Sequence, residues 1–131
     1  MLAGGCLCGA VRYQTDEAPF NETICHCRSC RLAAGAAAVA WFTVPTPSLR
    51  FVAGKPSHYR SSAQATRGFC GSCGTALTYQ HDDLPGEIDL TIATLDEPET
   101  LAPRDHTQAE EALAWNKPAD GLPVYPGPRD A

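Results

Sequence analysis

Apolar and polar positions alternate over short stretches of this chain, and helical periods are scarce. Within Gly9 to Gln14, Val11 and Tyr13 alternate with Arg12 and Gln14, the period of a half-buried strand. Trp41 to Val44 is a β-favouring run stopped by Pro45 and Pro47. Leu49 and Phe51 flank Arg50, and Gly54-Lys55-Pro56 closes that segment. Ala76 to Tyr79 reads as a strand. Glu87 to Leu95 has the clearest alternation, with Ile88, Leu90 and Ile92 set against Asp89, Thr91 and Ala93. Two short helices are expected. One lies in the Ala-rich stretch Arg28 to Ala38; the other spans Gln108 to Trp115, framed by Thr107 and Glu110 at capping-box spacing. Gly121 to Pro128 is too rich in proline and glycine for a helix, so residues 121–131 are expected to form an extended tail, with Val124 and Tyr125 packed on the body. Many strands and few helices in 131 residues predict one mainly β domain whose small core is helped by bound metal.

Composition narrows the function. Apolar residues make up 44% and charged residues 19%, the balance of a folded globular chain. Ten basic against fifteen acidic residues leave a net charge of -5 with no basic stripe, which argues against a nucleic-acid partner. Scattered cations at Arg28, Arg31, Arg50, Lys55, Arg60, Arg67 and Lys117 suit a small anionic ligand better than a polymer. No apolar run reaches membrane-spanning length, so no membrane partner is expected. Met1 to Gly5 has neither a charged leader nor an apolar core of a signal peptide, which predicts a cytoplasmic protein with reduced thiols. Seven cysteines is an odd count, so a fully paired disulfide framework fails and clustered metal ligands are the first reading.

Four cysteines form two knuckles, Cys6-Leu7-Cys8-Gly9 and Cys70-Gly71-Ser72-Cys73-Gly74. Each ends in Cys-Gly, because a turn that wraps its amides toward sulfur often leaves the next residue at positive φ. Four thiolates from two knuckles suit a closed, tetrahedral zinc site. The competing readings are a redox pair at Cys70 and Cys73, for which the flanks lack a βαβ context, and inert buried cysteines.

The other three cysteines lie within six residues, in Cys25-His26-Cys27-Arg28-Ser29-Cys30-Arg31. Three thiolates without a fourth cysteine describe a metal site with a free position, the form catalytic zinc takes. Arg28 and Arg31 would offset the excess negative charge, and either could grip a substrate carboxylate. A closed site with His26, His58, His81 or His106 as fourth ligand is the alternative.

Taken in order, Cys-x-Cys-Gly, Cys-His-Cys-x-x-Cys-Arg and Phe-Cys-x-x-Cys-Gly resemble the glutathione-dependent formaldehyde-activating enzymes, a family that includes centromere protein V relatives. Thr94-Leu95-Asp96-Glu97-Pro98, Pro103, His106, Trp115 and Asp120-Gly121-Leu122-Pro123 agree with it, and the resemblance runs from about Gly5 to Pro126. It implies an Mss4-like β fold stapled by zinc. It implies structural zinc at Cys6, Cys8, Cys70 and Cys73, and catalytic zinc at Cys25, Cys27 and Cys30. The implied reaction is carbon–sulfur bond formation and cleavage between glutathione and formaldehyde. A thiol on the open zinc would be the nucleophile, with His26, His106 and Asp96 as candidate proton donors. Two other functions compete: a non-catalytic zinc module that binds a protein, and a nucleic-acid-binding zinc ribbon. The three-cysteine cluster counts against the former and net acidity against the latter.

Overall fold

The computed structural model describes residues 1–129 and shows two sheets packed about one core. The smaller sheet holds β1 (Leu2–Gly5), β2 (Arg12–Thr15) and β5 (Leu49–Ala53) in the order β1-β2-β5, paired antiparallel. The larger sheet contains β3 (Phe20–Cys25), β4 (Val39–Pro45), β6 (Ser57–Arg60), β7 (Ala65–Phe69), β8 (Ala76–His81), β9 (Glu87–Thr91) and β10 (Asp105–Thr107). Its order is β10-β3-β4-β9-β8-β7-β6, antiparallel except for the parallel β10–β3 edge. The α-helix α1 (Arg28–Ala34) closely follows β3 and ends at Ala34, capped by Gly35, four residues before the end of the Ala-rich stretch expected to hold it. None of the helices among the described residues is long and apolar enough to cross a membrane.

Strand alternation decides what each face of the large sheet does. Phe42 and Val44 of β4, Leu77 of β8 and Leu90 of β9 point into the main core, where they meet Tyr13 of β2 and the cysteines Cys6 and Cys70. Phe42, Val44, Leu77, Leu90 and Tyr13 are fully enclosed. Their neighbours Trp41 and Val39 belong instead to a second cluster with Cys25, Cys27, Cys30 and Tyr79. β4 therefore divides the molecule, with apolar core on one face and the three-cysteine cluster on the other.

Three expected elements differ in extent or kind. The strand expected from Gly9 begins at Arg12, because residues 6–11 turn around the Cys6 sulfur, which accepts the Val11 amide at 3.2 Å. The Glu87–Leu95 alternation ends as a strand at Thr91 and tightens into a 3₁₀ turn, Ile92–Thr94, where the Thr94 hydroxyl donates to the Thr91 carbonyl. The helix expected at Gln108–Trp115 is absent: Gln108 sits at φ 53° and only Ala109–Glu111 forms a 3₁₀ turn. Thr107 is a strand residue whose hydroxyl pairs with that of Thr23 at 3.1 Å, so it is not free to cap. The amides a cap would have served are taken by the tail, with Gln108, Ala109 and Glu110 donating to the carbonyls of Gly127, Tyr125 and Pro126. The described part of the tail holds no helix and hydrogen-bonds along the body; Tyr125 is half-buried there, whereas Val124, expected to pack as well, stays 48% exposed. Val124 bridges His106, whose amide donates to the Pro123 carbonyl and whose own carbonyl accepts the Tyr125 amide. Residues 130–131 of the expected tail lie outside the described residues.

Candidate metal centres and active-site cavity

The two Cys-Gly knuckles meet across the core. Sulfur atoms of Cys6 and Cys8 lie 3.7 Å apart and those of Cys8 and Cys70 3.8 Å apart, and Cys73 completes the group. Four sulfurs around one ion at a metal–sulfur distance of about 2.3 Å require edges of about 3.8 Å. The donors thus have the chemistry and spacing of a tetrahedral thiolate site. Backbone amides already point at these sulfurs: Ser72 and Cys73 donate to Cys70, each at 3.4 Å. The glycines after each knuckle, Gly9 and Gly74, have φ of 80° and 82°, a conformation costly for any residue with a Cβ. The amide of Val11 holds the Cys6 thiol below its ordinary pKa, and the Thr75 hydroxyl holds Cys73 down to about 5. Cys8 is pushed up to about 11, against a backbone hydrogen bond at Ala10, by its bonds with the Cys6 and Cys73 sulfurs, so it is Cys6 and Cys73 that most readily give up protons to a cation.

The second group forms where β3 runs into α1. Cys25 ends the strand; Cys27 caps the helix, its sulfur accepting the Cys30 amide at 3.3 Å; Cys30 lies one turn on. The sulfurs of Cys25 and Cys30 are 3.6 Å apart, again a tetrahedral edge. Hydrogen bonds from Cys25 and then Cys30 hold Cys27 far below an ordinary thiol, while Cys25 is driven up by the same crowding. Both groups could hold a metal ion. Among the described residues, no histidine or carboxylate gathers with Cys25, Cys27 and Cys30.

This second cluster forms the wall of a cavity of about 620 Å³. One cross-strand row builds a further part of the wall. Thr43 of β4 lies opposite Asp89 of β9, Asp89 opposite Tyr79 of β8, and Tyr79 opposite Arg67 of β7. Residues in such a row share a face, so all four line the same cavity. The Arg67 guanidinium lies over the Tyr79 ring, 4.9 Å from its centroid, and its Nη2 donates to the Cys30 sulfur at 3.6 Å. Trp41 meets the Tyr79 ring edge-on at 6.2 Å. At the other end, Thr43 donates to Asp89 at 2.6 Å. Burial pushes the Asp89 carboxyl up to about 6, against the pull of the Thr43 bond and with help from Glu87.

The other expected site residues fall elsewhere. Arg28 is exposed, and its amide donates to Glu111. Arg31 turns its Nε back to the His26 carbonyl at 3.3 Å. Neither lines the cavity; the cations that do are Arg67 and Arg129, and Arg129 is paired with Asp105 at 2.5 Å. Asp96 is bound by Arg12 beside the small sheet, away from the cavity wall. His26 and His106 are buried behind the cluster, in a chain where His106 Nε2 meets Asp120 at 2.9 Å and His106 Nδ1 meets His26 Nε2 at 2.9 Å. With Asp120 ionised, His106 donates to it and accepts from His26. The chain pins the residue between Cys25 and Cys27, leaving His26 Nδ1 without a partner among the described residues. His58 and His81 lie on β6 and β8, outside both cysteine groups.

The glutathione-dependent formaldehyde-activating enzymes match the chain over residues 1–111, which takes in both cysteine groups and the whole cross-strand row. The chain belongs to this family. An uncharacterized lyase of Schizosaccharomyces pombe is 32% identical over 80 residues, 60% of this chain and 56% of that protein, so the chain spans little more than half of that relative's length. A crystal structure of a Rhodobacter sphaeroides protein superposes with a TM-score of 0.59 at 25% identity, covering 94% of this chain and 98% of the other.

Asp89 and Arg67 were not singled out from sequence. Asp89 was visible only as a polar position in the alternation of β9. Arg67 counted among scattered cations, although it stands three residues before Cys70 on the strand that leads into the second knuckle.

Proposed function

We propose that this protein is a zinc-dependent carbon–sulfur lyase acting on a small thiol adduct, making and cleaving the bond between glutathione and formaldehyde in S-hydroxymethylglutathione. Cys6, Cys8, Cys70 and Cys73 hold a structural zinc in an Mss4-like β fold, and Cys25, Cys27 and Cys30 hold the catalytic one. The observation that carries this reading is the convergence of three sulfurs, unaccompanied by any other ligating side chain of the described residues, on the wall of a cavity. An incomplete thiolate set has a use in catalysis that it lacks in a purely structural site.

Zinc at such a site supplies a Lewis-acid position at which a thiol loses its proton near neutral pH. The chain's own residues do the rest. Trp41 and Tyr79 give the cavity an apolar wall that limits water around the reacting atoms. In the synthetic direction the substrate sulfur bonds to the aldehyde carbon and the carbonyl π electrons pass to oxygen. The Asp89 carboxyl, with its raised pKa near the operating range, donates the proton that makes the hydroxyl. In reverse, the Asp89 carboxylate accepts that proton as the carbon–sulfur bond breaks. Thr43 fixes the orientation of the carboxylate. Arg28 and Arg31 do not reach the cavity, so the carboxylate-gripping role expected of them is not assigned to them; the cations on the cavity wall are Arg67, which meets the Cys30 sulfur, and Arg129, which pairs with Asp105.

The test is exchange NMR on glutathione and formaldehyde, which reports the rate of adduct formation above the uncatalysed background. Wild type is expected to accelerate exchange, and Cys27→Ser to abolish the acceleration. No acceleration by fully metal-loaded wild type would leave the protein a non-catalytic metal module.

A further inference from the structure

Arg67 is only 8% exposed, and among the described residues no carboxylate pairs with it. Among the described residues its Nε is enclosed without a hydrogen-bond partner, and its side-chain hydrogen bond goes to the Cys30 sulfur. Burying a guanidinium in this way is costly unless an anion compensates it. Asp89 is not that anion. It lies two strands away in the cross-strand row, about 10 Å by strand spacing, with Tyr79 between. Among the described residues, the group Arg67 donates to is the Cys30 sulfur, with the Cys27 sulfur near enough to feel its charge, and these sulfurs become anionic thiolates when they bind a metal ion.

Three thiolates and one divalent cation leave one net negative charge. An anionic fourth ligand would then bind against that charge. With a guanidinium in contact with the centre, the same ligand meets a neutral unit.

We propose that Arg67 is the specificity-determining residue of the Cys25–Cys27–Cys30 centre, its buried guanidinium making the centre take a thiolate in preference to a neutral ligand. The inference rests on the catalytic reading of that cluster. It assigns the thiolate preference to Arg67 rather than to recognition of the rest of the substrate, so a thiol with no carboxylate shows it as well as glutathione does.

The experiment uses the full chain loaded with Co²⁺, whose visible and sulfur-to-cobalt charge-transfer bands report the fourth ligand. Two probes are titrated: 2-mercaptoethanol, which binds as an anion, and imidazole, which binds as a neutral ligand. Arg67→Gln is expected to keep both metals and its affinity for imidazole while losing affinity for 2-mercaptoethanol roughly ten- to a hundredfold, the scale of one nearby charge in a partly buried site. Arg67→Lys, which keeps the charge, is expected to bind both probes within about threefold of wild type. A merely structural role would weaken both probes together, and that result overturns the proposal. Equal thiol affinity in wild type and Arg67→Gln also overturns it. If wild type binds imidazole but no thiol, the catalytic reading itself fails and takes the proposal with it. Should Arg67→Gln not fold, Arg67→Met, which fills the slot over Tyr79 with an apolar stem, carries the same comparison.

Discussion

Replacing Asp89 with asparagine is expected to stabilise the protein and disable it. The carboxyl has its pKa carried from 3.8 to about 6, chiefly by burial. At about 1.4 kcal/mol per tenfold change in proton affinity, holding the ionised form in the native state costs up to about 3 kcal/mol. The direction follows from the raised pKa. The native chain holds this proton more tightly than the unfolded chain. The stability Asp89 allows is therefore complete below pH 3.8, falls as pH rises through about 6, and is lost above that. Asparagine never ionises, and its carbonyl can still accept from Thr43. The variant should gain on wild type as pH rises, by about 1–3 kcal/mol near neutrality once the cavity's opening to solvent is allowed for. Urea unfolding of the two proteins at matched zinc, from mildly acid to mildly alkaline pH, measures the difference; pH-dependent loss of zinc is common to both and cancels. Exchange NMR on the same samples should show Asp89→Asn slower by about 10²–10⁴-fold, the usual worth of a positioned proton donor. A stability difference that does not grow with pH would refute the burial argument. Full activity in Asp89→Asn would refute the proton-transfer role.

The other expectations concern the two cysteine groups, the glycine after the second knuckle and Arg28. Cys70→Ser should leave the protein insoluble or unfolded at ordinary temperature, because Cys70 sits in the main core and a structural zinc in small domains contributes on the order of 10 kcal/mol of folding free energy; expression yield and circular dichroism check this. Cys30→Ser should retain the fold and one zinc by metal analysis, since its cluster lies on the opposite face of β4. Gly74→Ala should lower the melting temperature by the equivalent of about 1–2 kcal/mol, the cost of a Cβ at positive φ, measured by calorimetry. Arg28→Ala should leave both thiol affinity and metal content within twofold of wild type, because its side chain does not reach the cavity.

The cysteine groups were legible in the sequence because ligand spacing is a local property, and so was the glycine after each knuckle, whose positive φ follows from the turn itself. Apolar alternation likewise marked β9 and most of β2 and β5, and a β-favouring run marked β4. The capping-box helix failed for a non-local reason: Thr107 was claimed by β3 and the amides beyond it by the tail carbonyls of Tyr125, Pro126 and Gly127. The working wall of the cavity was hidden in the same way. Thr43, Asp89, Tyr79 and Arg67 come from four strands, and only the register between those strands puts them in one row. Arg28 and Arg31 were attractive because they are adjacent to cysteines in sequence, yet a helix starting at Arg28 turns both away from the sulfurs. The histidine relay from Asp120 through His106 to His26 joins three distant segments and had no signature beyond the residue types.

Native mass spectrometry of the intact chain tests the central claim most directly. Wild type is expected to carry two zinc ions and, with millimolar glutathione and no aldehyde, to add one glutathione. The variant with Cys25, Cys27 and Cys30 all changed to serine is expected to carry one zinc and add none. A wild type that carries a single zinc at saturation, or a triple variant that still binds glutathione as wild type does, would contradict the account.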